Sequence, residues 1–170
     1  KCFVTNDVML RQPVPMPVSD HAPVYDVVVC PRKRAYGAEK NWRYWPDLVD
    51  RLIAEGLSVF AAGVEATSFT TNAVSAWDQP NPLIASINAL QNARSVVATD
   101  NGLAHLALMC RPEIMMIVDG EDRVSPGYWP VITDRFTQFG GRIDFISNSW
   151  YTPELVSARV VEAVGTPVLA

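Results

Sequence analysis

The sequence predicts an α/β fold in which a doubly wound parallel sheet carries helices on both faces. The first observation is segment 95–118, where apolar runs over 95–99 and 114–118 flank a helical stretch that Pro112 closes. Two buried strands joined by a helix of this length form a parallel βαβ unit. The second observation is that apolar strands and amphipathic helices alternate along the rest of the chain, which is typical of this architecture.

The sheet is predicted to begin at 25–30, a continuous β-branched run typical of a buried parallel strand. Further strands and helices are predicted from the spacing of apolar residues, with Gly56 marking a helix end and Thr152 and Pro153 marking a helix start. These are strands over 57–62 and 143–146 and helices over 43–55, near 68–77, over 83–92 and over 153–164. The residues predicted to face inward from the first and third of these helices are Trp45, Leu48, Val49, Leu52 and Ile53, and Leu83, Ile84, Ile87 and Leu90.

The prolines at the start of the chain separate two regions. Residues 1–24 contain four prolines, which break both helices and central strands, and are expected to be a linker or the remnant of a preceding segment. Residues 25–170 are predicted to form one domain. Because the chain begins at Lys1 rather than Met, we expect it to be a piece of a longer protein.

Composition excludes several classes of function. The net charge of −4 argues against broad nucleic-acid binding, which needs a basic surface. The chain holds no apolar run of the ~20 residues that span a bilayer and no visible signal peptide. Cys30 and Cys110 lie in apolar segments and are predicted to be buried free thiols. A reducing, cytoplasmic location is therefore expected.

Three polar turns follow three of the predicted strands, and the carboxyl ends of parallel strands meet at one edge of a sheet. The first turn carries Arg32, Lys33, Arg34 and Lys40, four cations within nine residues of an acidic chain. These residues indicate an anionic ligand, and the alternative is a solvated basic loop. In the second turn Glu65 is placed to accept hydrogen bonds from ribose hydroxyls, and the alternative is an ordinary surface glutamate.

The third turn opens a helix that is predicted to start at Asn101. Asp100 is expected to cap this helix, whether or not it also meets a ligand. Gly102 allows another group to approach the backbone, and His105 either contacts that group or packs within the helix. Phosphates would lie between the basic loop and the backbone N–H groups at Asn101 and Gly102, where the helix dipole favours negative charge. The three turns together therefore predict a site for a nucleotide with a diphosphate.

These motifs resemble those of glycosyltransferase family 9, the ADP-heptose:lipopolysaccharide heptosyltransferases. Segment 100–105, Asp-Asn-Gly-Leu-Ala-His, resembles the family's Asp-(Ser/Thr)-Gly-x-x-His signature. Segment 40–42, Lys-Asn-Trp, is similar to its Lys-x-Trp, and segment 63–65, Gly-Val-Glu, to its Gly-x-Glu. The resemblance covers about residues 25–120 in the right order. The sequence departs from the family at Asn101, where Ser or Thr is usual, and at Arg43, where Pro is common.

The resemblance implies the carboxyl-terminal, Rossmann-like half of a two-domain GT-B enzyme. It implies that Lys40 contacts phosphate, Glu65 the ribose and Asp100 the donor sugar, with the turn at Asn101 and Gly102 against the diphosphate. The implied partners are a nucleoside diphosphate sugar, with an ADP-sugar favoured, a glycan or lipid-linked acceptor, and a missing amino-terminal domain that holds the catalytic base. No catalytic residue, metal or cofactor is then expected in this chain, and the isolated chain is expected to be inactive. Its location would be cytoplasmic or at the surface of the inner membrane.

Two other interpretations remain open. One is that the parent protein is a GT-B relative with another chemistry, such as a sugar-nucleotide epimerase or a pyruvyl transferase. The pyruvyl transferases resemble the chain less, because an Arg is usual where Asp100 stands. The remaining alternative is a non-catalytic nucleotide-binding or assembly domain that keeps a glycosyltransferase-like fold.

Overall fold

The computed structural model describes residues 24–31, 42–63, 72–99, 101–110, 114–118, 142–146 and 152–165. Within these residues the chain holds six strands and four helices. The strands are β1 (Tyr25–Cys30), β2 (Val59–Ala61), β3 (Val74–Ser75), β4 (Ala93–Ala98), β5 (Ile114–Val118) and β6 (Arg142–Ile146). The helices are α1 (Trp45–Ala54), α2 (Pro82–Gln91), α3 (Gly102–Cys110) and α4 (Pro153–Val164), and a 3₁₀ turn spans Ala76–Asp78.

The strands form one sheet in the order β3-β2-β1-β4-β5-β6, and every neighbouring pair is parallel. Val28 at the centre of β1 pairs with Phe60 on one side and with Val96 on the other. β2 and β3 therefore follow β1 toward one edge of the sheet, and β5 and β6 follow β4 toward the other edge. This is a Rossmann-like α/β arrangement, and it confirms the predicted parallel sheet.

Each face of the sheet has its own apolar core. On one face, the large side chains of α1, such as Trp45 and Leu48, pack with α4 residues, such as Val160, against Val27 and Val29 of β1. On the other face, α2 and α3 cover β1, β4 and β5 with mostly small side chains. The buried residues of this second core include Ala89, Leu90, Ala104, Ala107, Val28, Val96 and Met115. Helices lie on both faces, so the sheet is doubly wound, as predicted.

The predicted helix limits agree closely with the structure. α1 begins two residues later than expected, with Pro46 in its first turn, where a missing N–H costs nothing. Gly56 follows its end with φ 82°, a left-handed conformation that favours glycine. α4 begins at Pro153 after Thr152, but the Thr152 side chain makes no capping bond to the backbone. None of the described helices is long and apolar enough to cross a bilayer.

Three local predictions are wrong. The expected helix near 68–77 is, in its described part, the strand β3 followed by the 3₁₀ turn. Leu83 and Ile84 are 61% and 49% exposed instead of inward, because α2 turns the small residues Ser86 and Ala89 toward the sheet. Ile53 on α1 is also 39% exposed.

The two described cysteines are free thiols, as predicted. Cys30 is fully buried and Cys110 is partly buried. Burial raises the pKa of the Cys110 thiol to about 11, and burial together with the nearby Cys110 raises the pKa of Cys30 further. Both side chains are therefore neutral and act as small apolar groups of the core.

A cluster around Asp26 holds the amino-terminal ends of the strands together. Asp26 Oδ2 accepts hydrogen bonds from the Ser58 backbone N–H at 2.9 Å and from Ser58 Oγ at 2.8 Å, just before β2. Asp26 Oδ1 accepts from Arg94 Nη1 of β4 at 2.9 Å. Arg94 Nη2 also donates to the carbonyl of Val164 at the end of α4. One carboxylate thus connects three strands of the sheet and, through Arg94, a helix end.

The pKa of Asp26 is lowered by these bonds. Burial alone would raise it, but the hydrogen bonds from Ser58 and the charge and hydrogen bond of Arg94 together outweigh burial. A carboxyl group whose pKa is lower in the folded chain stabilises the fold above its unfolded pKa of about 4. That contribution is lost as the pH falls through the folded pKa.

We predict that Asp26→Asn lowers the free energy of unfolding by about 2 kcal/mol at pH 6–7, because it removes charge-assisted hydrogen bonds. The difference from wild type should shrink as the pH falls below about 4, since the wild-type carboxylate is then protonated. Urea unfolding at a series of pH values measures both. Asp78→Asn, at an exposed aspartate of the 3₁₀ turn, is the control. A loss at Asp26 that stays constant down to pH 2 would contradict the assignment.

Candidate functional site

The reversal of strand order creates a crevice at the carboxyl ends of β1 and β4. The chain leaves β1 toward α1 on one face of the sheet and leaves β4 toward α3 on the other face. The connections of these two neighbouring strands therefore depart in opposite directions at this place. Open α/β sheets bind ligands at this position. The crevice between β1 and β4 is therefore the candidate site.

Asn101 follows β4 at this end of the sheet and uses both ends of its side-chain amide. Its Nδ2 donates to the carbonyl oxygen of Cys30, the last residue of β1, at 3.2 Å and to Thr99 Oγ1 at 2.9 Å. Its Oδ1 accepts from the backbone N–H of Leu103 at 2.8 Å and of Ala104 at 3.0 Å. Asn101 is 6% exposed, so these four hydrogen bonds occupy a buried side chain completely. Its amide fixes the start of α3 to the end of β1.

The side chain that caps α3 is therefore that of Asn101. α3 begins at Gly102, and the Asn101 carbonyl accepts the first helical bond, from the His105 N–H at 3.3 Å. The prediction that Asp100 caps a helix starting at Asn101 is wrong by one residue. Asn and Asp are equally good caps, and only Asn can also donate to the Cys30 carbonyl. Asp100 itself lies outside the described residues.

Gly102 is the open part of this turn. It is exposed, and a Cβ built on it would meet no other atom within 4 Å. The N–H groups of Leu103 and Ala104 are already bonded to Asn101, so a ligand at this helix start meets mainly the backbone of Gly102. The backbone at Gly102 is therefore accessible, and its role as the place where a ligand approaches the chain stays a prediction.

His105 lies one turn further along α3 and is exposed. Both interpretations of His105, as a ligand contact and as a packed residue of the helix, stay predictions. Its side chain projects from the helix that begins at the crevice.

The second predicted turn begins at Gly63, after β2. Gly63 has φ 117°, and its N–H donates to Ser86 Oγ of α2 at 3.1 Å. Ser86 in turn donates its hydroxyl to the carbonyl of Pro82 at 2.8 Å, and the side chain is 1% exposed. The turn is thus fixed to α2 where it leaves the sheet. Glu65, two residues beyond, lies outside the described residues.

Trp42 is the first described residue after the first predicted turn. Trp42 is 2% exposed and packs edge-on against Trp45, with ring centroids 5.1 Å apart. Arg43 is exposed and lies over the ring of Tyr44, immediately before α1. The predicted phosphate-binding cations of this turn, Arg32, Lys33 and Lys40, lie outside the described residues.

The structure thus places three of the eight predicted site residues, Asn101, Gly102 and His105, on the first turns of α3. It also shows contacts next to the three predicted turns that the sequence analysis did not assign, made by Thr99, by Ser86 and by the pair Arg43 and Tyr44. Thr99 and Ser86 could not be found, because their roles depend on contacts between distant segments. Arg43 carried a visible signal, since it is a cation next to the Lys-x-Trp segment.

No protein-family model matches the chain, and neither a curated protein nor a solved structure matches it. Among the described residues, no group of three or more His, Cys, Asp or Glu side chains could hold a metal ion.

We predict that Asn101→Asp lowers the free energy of unfolding by about 1–3 kcal/mol at pH 7, although aspartate is an equally good cap. The substitution keeps the capping oxygen, removes the donor to Cys30 and places a second oxygen against that carbonyl. Asn81 provides the matched control, because it caps the exposed start of α2 with a bond to the Ile84 N–H at 3.2 Å.

Asn81→Asp should change stability by less than about 0.5 kcal/mol. Urea unfolding of both variants measures the difference. Equal effects at the two caps would mean that the bond to Cys30 contributes nothing.

Proposed function

We propose that this chain is the nucleotide-sugar-binding half of a GT-B glycosyltransferase, with the donor's diphosphate in the crevice between β1 and β4. The observation that carries the proposal is the strand order β3-β2-β1-β4-β5-β6, which opens the sheet at the turn holding Asn101 and Gly102. That turn belongs to the segment resembling the signature of glycosyltransferase family 9.

The open backbone at Gly102 supports a bulky anionic ligand at this place. Phosphate groups bind to helix starts because the backbone N–H groups and the helix dipole face them. Here only part of that capacity is left, because Asn101 takes the N–H groups of Leu103 and Ala104. Side-chain cations from the first turn therefore have to supply most of the attraction, and Lys40, Arg32 and Lys33 are proposed for that role.

The proposed division of roles follows the three turns. The first turn holds the phosphates, Glu65 in the second holds the ribose, and Asp100 in the third contacts the donor sugar. Asn101 acts through the fold: its side chain positions Gly102 and has no donor or acceptor left for a ligand. A hydroxyl contact that Ser or Thr would make at this position is therefore not part of the proposed site.

In the whole enzyme the sugar would pass from the nucleoside diphosphate to an acceptor hydroxyl, with inversion at the anomeric carbon. A base from the amino-terminal domain would take the proton of that hydroxyl, and the cations of this chain would stabilise the departing diphosphate. Without that domain bound phosphates would stay in contact with water, where a charge pair at ~4 Å is worth only about 1 kcal/mol. Binding by this chain alone is therefore expected to be weak and to occur without turnover.

We predict that nucleoside diphosphates raise the melting temperature of the chain and that ADP or an ADP-sugar raises it most. A ligand that binds only the folded state stabilises it by about 2.7 kcal/mol at a hundredfold excess over Kd. A thermal-shift panel of ADP, UDP, GDP and dTDP with their sugars measures this, with adenosine and free phosphate as controls. Absence of any shift at millimolar nucleotide would contradict the proposal and favour an assembly domain that binds no nucleotide.

A further inference from the structure

Arg43 and Tyr44 form a fixed pair at the carboxyl edge of the sheet, immediately before α1. Arg43 Nη2 donates to Tyr44 Oη at 3.1 Å, and the guanidinium carbon lies 5.1 Å from the centre of the Tyr44 ring. The cation thus contacts both the face and the hydroxyl of one aromatic side chain. Such contacts hold a guanidinium in place while it stays exposed to solvent.

The Tyr44 ring packs against buried aromatic residues of the core. It packs edge-on against Trp42 with centroids 5.7 Å apart, and Trp42 packs edge-on against Trp45 at 5.1 Å. Both tryptophans are at most 2% exposed. Arg43 is therefore the outermost member of a chain of aromatic contacts that ends in the core. Less conformational freedom is lost when such a side chain binds a ligand.

The pair keeps hydrogen-bond donors available. Tyr44 Oη already accepts from Arg43, so its own O–H proton is free to donate elsewhere. Arg43 has five N–H groups, of which the bond to Tyr44 uses one. Within the described part of the chain, the ion pairs involve Arg51 and Arg94 and not Arg43.

The surrounding charge limits where an anion can sit. Asp47 is exposed in the first turn of α1 and repels an anion from the N–H groups at that helix start. The favourable position is therefore beside Arg43 and Tyr44.

We propose that Arg43 and Tyr44 form a phosphate subsite for the diphosphate, in which guanidinium N–H groups and the tyrosine hydroxyl bind phosphate oxygens. A guanidinium suits this role because its planar donors match two oxygens of one phosphate. The subsite rests on the proposed function and adds Arg43 to the cations proposed to bind the diphosphate. It also distinguishes this chain from the family pattern, where Pro is common at the position of Arg43.

The test is calorimetric titration of the full chain with inorganic pyrophosphate, ADP and adenosine. Arg43→Ala should weaken pyrophosphate and ADP binding about tenfold and adenosine binding less than about twofold, because a charge-assisted bond is lost only for the phosphates. Arg43→Lys should recover only part of this affinity, since lysine lacks the planar donor pair. Tyr44→Phe keeps the ring under Arg43 and removes the hydroxyl, so a loss of about threefold is expected.

Arg159→Ala, at an exposed arginine of α4, is the control and should leave all three affinities unchanged. Far-UV circular dichroism confirms that each variant is folded. If Arg43→Ala binds ADP and pyrophosphate as tightly as wild type, the subsite is wrong and the proposed function stands. If wild type binds pyrophosphate through Arg43 and binds no nucleotide, the subsite stands and the nucleotide function is wrong. If wild type binds neither, both are wrong.

Discussion

The amide of Asn101 is the interaction on which the candidate site depends. The connections after β1 and β4 depart to opposite faces of the sheet, and Cys30 and Thr99 at the ends of these strands are buried. Asn101 bonds the Cys30 carbonyl and Thr99 on one side and the first N–H groups of α3 on the other. Leaving a buried donor or acceptor unpaired costs ~1–3 kcal/mol. The position of Gly102 relative to β1 therefore follows from one side chain.

The two ends of the sheet have different roles. At the amino-terminal end, Asp26 pairs its carboxylate oxygens with donors of Ser58 and Arg94, and this cluster stabilises the fold. At the carboxyl-terminal end, polar groups remain available: the exposed backbone at Gly102 and the donors of Arg43. The stabilising cluster of Asp26 therefore lies at the opposite end of the sheet from the crevice.

The sequence predicts those parts of the fold that local pattern determines. β1 and β5 are predicted to the residue, since each is an uninterrupted apolar run, and α4 is limited by Pro153 and the end of its apolar periodicity. β3 has only two residues and exists because it pairs with β2, which no local pattern shows. The predicted inward face of α2 is wrong because Ser86 bonds to Gly63 across the fold. The cap of α3 was displaced by one residue because the bond that selects Asn101 joins residues 71 positions apart. The sequence position of Arg43 could have indicated a cation beside the site, but its contacts with the hydroxyl and ring of Tyr44 could not be predicted.

The most direct measurement of the central claim is the affinity of Gly102→Ala for ADP and for adenosine. The added Cβ meets no atom of the chain, and alanine is favoured over glycine in a helix by about 0.5–1 kcal/mol, so the variant should be at least as stable as wild type. If the diphosphate lies against this backbone, ADP affinity should fall about tenfold while adenosine affinity changes by less than about twofold. A stable variant that binds ADP as tightly as wild type would contradict the placement of the diphosphate at the start of α3.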